Sequence, residues 1–345
     1  MKNVLRVAFE EDSKDSMKEL IANLANQIRE AREIGASAAF QPMDRQINAV
    51  LVCGLGGSGI GGRIIGLLLK NDLPVPFLCV NDYEMPEWVN KNTLVIASSY
   101  SGNTEETLSA VQFCQERGAE IAVITSGGEL KERADQNGWN KFIVPGGEQP
   151  RAMLAYSLVQ QLYILERYGL IGGDILDDLE KVPAFIESHE AAIRDEAIRI
   201  AQGFHKKRPL IYAGNDFEGV AVRWRQQINE NAKELCWHHV FPELTHNELV
   251  GWAGGSEHQA PLFLHSNLNH PRTNRRWEIS KGVVAKYTDT ILETKAIGET
   301  RLAQNFYLIH LGDWVSYFMS ELKNIDPVEV DVIGYLKSEM AKMQG

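Results

Sequence analysis

The chain has 345 residues, 44% of them hydrophobic and 23% charged, with a formal net charge of −11. That length predicts two domains, each large enough for a core of its own. The acidic balance argues against a nucleic-acid surface but permits a small basic pocket, and no apolar run is long enough to cross a bilayer.

The N-terminal stretch MKNVLRVAFEEDSKDSMKEL turns acidic within its first dozen residues. It lacks the apolar core and cleavage site of a secretory signal, so a cytoplasmic protein is expected. A polar helix is predicted over residues 13–34. Apolar runs then alternate with helical patterns, at Ala49–Cys53, Pro76–Val80, Thr93–Ala97, Ile121–Thr125 and Phe142–Val144. The alternation reads as an α/β fold with a doubly wound parallel sheet, and continuous apolar runs suit strands covered on both faces. Cys53, Cys79, Cys114 and Cys236 lie in apolar segments without C-x-x-C spacing, as buried reduced thiols would.

Residues 151–169 give an amphipathic helix, and the GGD at 172–174 precedes a charged helical stretch over 176–204. The domain boundary is placed near residue 180, dividing the chain into 1–180 and 181–345. The second half repeats the theme, because PLIYAGNDFEGVAVRWRQQINENAK resembles in layout LVCGLGGSGIGGRIIGLLL of the first. Further strands are predicted at Arg208–Tyr212, Pro261–Leu264 and Gly282–Lys286. Helices are predicted from Thr300 to Lys323 and from Pro327 to the C-terminus. A cleft between two doubly wound units is where small ligands lodge.

Two strand-to-helix turns carry chemistry. In CGLGGSGIGG the residues Gly54, Gly56 and Gly59 match G-x-G-x-x-G, with Asp82 as the acidic residue that a dinucleotide site would want; the Walker pattern fails for lack of Gly-Lys-Ser/Thr. The second turn, SSYSGNT at 98–104, is loaded with hydroxyls. Helix capping by Thr104 explains part of it. Strand C-termini share one edge of a parallel sheet, so Gly56, Gly57, Ser58, Ser99, Ser101 and Thr104 can converge on one phosphomonoester.

This pair of turns resembles the sugar isomerase (SIS) domain. The second half adds Asn229-Glu-Asn-Ala-Lys233, His246-Asn247 and Lys337, and Gln149-Pro-Arg-Ala152 lies between. In that order these motifs resemble the bifunctional phosphoglucose/phosphomannose isomerases, over about residues 49–340. The resemblance implies two flavodoxin-like SIS domains and interconversion of glucose 6-phosphate, and of mannose 6-phosphate, with fructose 6-phosphate. It implies that Glu230 is the base shuttling a proton between neighbouring carbons and that Arg151 stabilises the enediolate. It implies that His246 opens the sugar ring from a neighbouring subunit of a homodimer, with Lys337 near the ring oxygen.

One departure stands out. Seven positions before that lysine the family carries a threonine linked to the mannose epimer, and here the residue is Val330. The implied mechanism needs no cofactor and no metal, and the pairs Glu257/His258 and His265/His270 fit no ligand spacing. His238 and His239, adjacent on a strand, would point to opposite faces and read as structural. The competing readings are a non-catalytic sugar-phosphate-binding SIS regulator and a nicotinamide enzyme.

Overall fold

The computed structural model describes residues 11–41 and 45–342. The first ten residues of the stretch inspected for a signal lie outside them. Helices α1 (Glu11–Ala22) and α2 (Leu24–Ser37), broken at Asn23, stand where one helix was predicted. The first sheet is built from β1 (Ala49–Cys53), α3 (Gly56–Leu68), β2 (Phe77–Val80), β3 (Thr93–Ser98), α4 (Glu105–Glu116), β4 (Glu120–Thr125), α5 (Gly128–Asn137) and β5 (Asn140–Ile143). All its strands are parallel, in the order β2-β1-β3-β4-β5. Helices α6 (Leu154–Arg167) and α7 (Asp174–Phe204) lead to the second half. There β6 (Arg208–Gly214), α8 (Glu218–Ala232), β7 (Trp237–Phe241), the short α9 (Glu248–Gly251), β8 (Gln259–His265), α10 (Pro271–Val284) and β9 (Leu292–Lys295) form a parallel sheet ordered β7-β6-β8-β9. Helices α11 (Arg301–Lys323) and α12 (Asp331–Met340) follow.

The continuous apolar strands are explained by burial on both faces. Along β1, Val50 and Val52 enter one core while Leu51 and Cys53 enter another, under α4 and α5. The core holding Val50 also takes in Trp224, Leu262 and Trp314 from the second half, so the two halves share one interior. Helix α11 is buried nearly all round and runs through that interior against α7 and α8. Residue 180, where the sequence places a boundary, lies inside α7, so a helix and not a linker joins the halves. Helices α3 and α8 cross at Gly219, where a Cβ would stand 3.0 Å from the backbone of Ile64.

Two expectations need correction. Residues 282–286 are not a strand but the end of α10 and the turn after it, because buried Trp277, Ser280 and Val284 keep one helical face on the core. The remaining strand is β9, Leu-Glu-Thr-Lys, at the sheet edge, with too little apolar character to be noticed. The last helix starts at Asp331 and not at Pro327, since main-chain carbonyls of residues 326–328 are taken by side chains described below.

In both sheets the chain departs to one side of its first strand and then to the other. The switch points fall between β1 and β3 and between β6 and β8, where open α/β sheets form their binding crevices. At the first turn after β6, Asp216 takes hydrogen bonds from Lys70 and from Arg301, the latter at 2.7 Å. No helix among the described residues is long and apolar enough to cross a membrane.

Candidate active site

The two hydroxyl-bearing turns lie on either side of the first switch point. Gly56, with a φ of +53°, lets the chain turn sharply from β1 into α3, whose first N–H groups lack intrahelical partners. The Tyr100 N–H donates to Ser58 Oγ at 3.0 Å, tying the second turn to the first. Ser99, buried, has its Oγ 2.9 Å from Thr104 Oγ1 and accepts the Gly102 N–H at 3.2 Å. Ser101 is exposed, and its Oγ accepts from the Asn103 N–H at 3.3 Å. Thr104 does not use its hydroxyl to cap α4, contrary to the capping alternative. Ser58 and Ser101 accept these N–H groups and so keep their own O–H groups to donate. Gly102 is compulsory here: its φ is +71°, and a Cβ would lie 1.8 Å from the carbonyl oxygen of Gly127.

The first turn touches the arginine singled out in the sequence. A Cβ on Gly57 would sit 3.0 Å from the Pro150 carbonyl oxygen and 3.4 Å from Arg151 Cα. Arg151 occupies a 3-10 turn, Pro150–Ala152, and not the first turn of α6. Its side chain is 5% exposed, and its Nη1 lies 3.5 Å from Glu230 Oε2, at the end of α8. Nε donates to Asn231 Oδ1 at 2.7 Å, Nη1 to Gln149 Oε1 at 3.2 Å, and Nη2 to the carbonyls of Pro327 and Val328. Burial pulls the guanidinium below the ordinary arginine value, opposed by the charges of Glu230, Asp326 and Glu329.

Lys233 ends α8 in the left-handed region, with φ +47°. Its Nζ donates to the carbonyls of Glu230 at 2.8 Å and Asp326 at 2.7 Å. Burial lowers its pKa, Glu329 pushes it back up and Arg151 lowers it further. Arg151 and Lys233 thus hold the strap 326–328 that precedes α12.

His246 and Lys337 are not brought to this pair. His246 closes a 3-10 turn after β7 and is exposed, with no side-chain partner among the described residues. Its neighbours are fixed: Arg276 donates to Thr245 Oγ1 at 2.7 Å, and Asn247 donates to Glu243 Oε1 at 2.8 Å. Lys337 is exposed on α12, a helix that buries none of its residues. Val330 stands at the N-terminal boundary of that helix.

The remaining candidates lie elsewhere. His238 on β7 is 4.0 Å from Glu218, and burial together with Arg225, Arg63 and His239 holds its pKa down to about 4. His239 Nδ1 accepts its neighbour Val240's N–H. His265 meets Glu293 at 2.9 Å, and His270 caps α10. Among the described residues no three His, Cys, Asp or Glu side chains gather as metal ligands. Asp82 is exposed and accepts from the Tyr83 N–H, while Asn81 is the residue that reaches Gly54. All four cysteines are free; Cys53, Cys114 and Cys236 are buried and Cys79 is half-buried. Asn231, Gln149 and Lys233 lie inside the motifs quoted from the sequence, where only their neighbours Glu230 and Arg151 are given roles.

Comparison with known proteins gives this geometry its class. The SIS domain model matches residues 45–168, and the model described as bacterial phospho-glucose isomerase C-terminal SIS domain matches residues 193–340. Two SIS domains in tandem, with hydroxyl-bearing turns at the first switch point, place the chain in the class of sugar-phosphate isomerases.

A bifunctional phosphoglucose/phosphomannose isomerase of Caldicellulosiruptor bescii is 38% identical over 339 residues, covering 95% of this chain and all of that one. The chain belongs to the bifunctional phosphoglucose/phosphomannose isomerase family. A D-glucosamine-6-phosphate 4-epimerase of Sulfolobus acidocaldarius is also 38% identical, over 57% of this chain and 61% of its own length. The fold is shared with the C-terminal domain of glucosamine-fructose-6-phosphate aminotransferase from Francisella tularensis, with TM-score 0.69 and 14% identity over 95% of this chain and all of that one. Membership of an enzyme family sets the regulator and nicotinamide readings aside.

Proposed function

We propose that the chain interconverts glucose 6-phosphate, and mannose 6-phosphate, with fructose 6-phosphate through an enediolate. The observation that carries this reading is the adjacency of three parts. The hydroxyl-bearing turns abut the Arg151 segment at Gly57, and Arg151 in turn meets Glu230. The turns, with helix N-termini behind them, hold the phosphate. Glu230 removes the proton beside the carbonyl and returns it to the next carbon, and the fixed guanidinium of Arg151 offsets the charge that develops on the enediolate oxygens.

Ring opening falls to His246, supplied across a homodimer, with Lys337 assisting at the ring oxygen. The exposure of both side chains, without partners among the described residues, supports a site completed by a second copy. The boundary between an N-terminal phosphate-holding unit and a C-terminal unit bearing the base lies near residue 180, within α7. Val330 in place of the family's threonine makes phosphomannose turnover the weaker of the two activities.

The test is a coupled assay of purified protein on fructose 6-phosphate with a chelator present, scoring both aldose products. Glucose 6-phosphate in excess of mannose 6-phosphate is expected. Absence of both, or loss of turnover on chelation, would overturn the reading.

A further inference from the structure

The guanidinium of Arg151 is built in from the far half of the chain. Asn231 is fully buried, and its Oδ1 accepts from Arg151 Nε at 2.7 Å while its Nδ2 donates to Ser316 Oγ at 2.9 Å. Ser316 Oγ donates in turn to the Asp313 carbonyl at 2.7 Å. The amide orientation is therefore determined: arginine Nε is only a donor, so the oxygen of Asn231 must face it. A second buried side chain of α8, Arg223, donates from Nη2 to the main-chain carbonyl of Arg151 at 2.9 Å and to Asp313 Oδ2 at 2.7 Å. One face of α8 thus grips both ends of the arginine, and α11 holds that face.

An arginine fork has five N–H groups. Asn231 takes Nε, the Pro327 and Val328 carbonyls take Nη2, and Gln149 takes one direction of Nη1. The edge left for a substrate oxygen is that of Nη1 beside Glu230, where the approach of 3.5 Å is too long for a good hydrogen bond.

We infer that Asn231 is a positioning residue for the isomerisation, fixing the plane of the Arg151 guanidinium so that Nη1 faces the oxygens on which charge develops. The acceptor is neutral, so it orients the arginine without cancelling its charge, which a carboxylate at the same place would do. This inference rests on the reading of Arg151 given above.

The experiment measures kcat, KM and Tm with fructose 6-phosphate for the full chain carrying Asn231→Ala, Asn231→Asp, Arg151→Lys and the Asn231→Ala/Arg151→Lys pair. Asn231→Ala lowers kcat by about tenfold or more with KM within about threefold, because the developing charge and not the ground state loses its partner. Asn231→Asp keeps Tm within about 3 °C and still lowers kcat by about tenfold or more; it is the variant to read should the alanine fail to fold. In the Arg151→Lys background Asn231→Ala costs less than about twofold, since its effect passes through the fork that lysine lacks. An equal kcat loss in both backgrounds, or wild-type kcat in Asn231→Asp, would overturn the inference and leave the isomerase reading standing. A wild-type chain inactive on fructose 6-phosphate would overturn both.

Discussion

Arg151 and Glu230 lie in different halves of the chain, yet Arg151 Nη1 comes within 3.5 Å of Glu230 Oε2, with the arginine buried and the carboxylate 30% exposed. A carboxylate so placed stays open to solvent on one side and is steadied by a fixed cation on the other. Replacement of Glu230 by Gln keeps its size and removes its basicity. The expected outcome is a fall in kcat of about 10²–10⁴-fold. Affinity for glucitol 6-phosphate, which has no carbonyl to isomerise, stays within about threefold by calorimetry. A variant that turns over at the wild-type rate would remove Glu230 from the chemistry.

Ser58 tests the proposed role of the hydroxyl-bearing turns. Its Oγ accepts the Tyr100 N–H, so the hydroxyl proton is free to donate to a ligand oxygen. Ser58→Ala deletes one hydrogen bond to a charged group, worth about 1.5–3 kcal/mol, and should raise KM for fructose 6-phosphate by about tenfold or more. Inhibition by inorganic phosphate should weaken in parallel. An unaltered KM would place the phosphate elsewhere.

The exposed His246 gives a test that needs no structure of the assembly. Glu230→Gln and His246→Ala are each inactive as homodimers in the proposed arrangement. Mixed by co-expression, half of the dimers are heterodimers with one intact site in two, so activity returns to about a quarter of wild type. Recovery absent at equal expression would mean that both residues act within one chain.

The buried imidazole of His238 sets the direction of a pH effect on stability. Its pKa is held down to about 4 from an ordinary 6.5, chiefly by burial and then by Arg225, Arg63 and His239. The unfolded chain binds the proton near 6.5 and the folded chain only near 4. Stability is therefore full above pH 6.5 and is lost as the pH falls through the interval down to 4. His238→Gln removes that contribution, so its melting temperature should decline less between pH 7 and pH 4.5 than that of the wild type. Parallel curves for the two proteins would count against this assignment.

Much of the fold could be read from the sequence because its strands are buried on both faces. The runs at Ala49–Cys53 and Thr93–Ala97 fall on β1 and β3, whose residues are all buried. Gly282–Lys286 misled because its β-branched run continues the helical phase of Trp277 and Ser280, and periodicity over five residues cannot separate the two. Pro327 misled because Arg151 and Lys233 draw the carbonyls after α11 away from helix formation. The hydroxyl turns announced themselves by composition. The support of Arg151 did not, since Asn231 is 80 positions from it and Ser316 is a further 85 along. A buried polar side chain has no signature until its partner is known.

The second sheet repeats the winding of the first, but its opening turn contains Asp216, bonded to Lys70 and Arg301. Where the first half lines its turns with serine hydroxyls, the second places a carboxylate that these two cations neutralise. The corresponding turn of the second half is thus closed by ion pairs, and helix α8 beyond it carries Glu230 to the side of Arg151 in the first half.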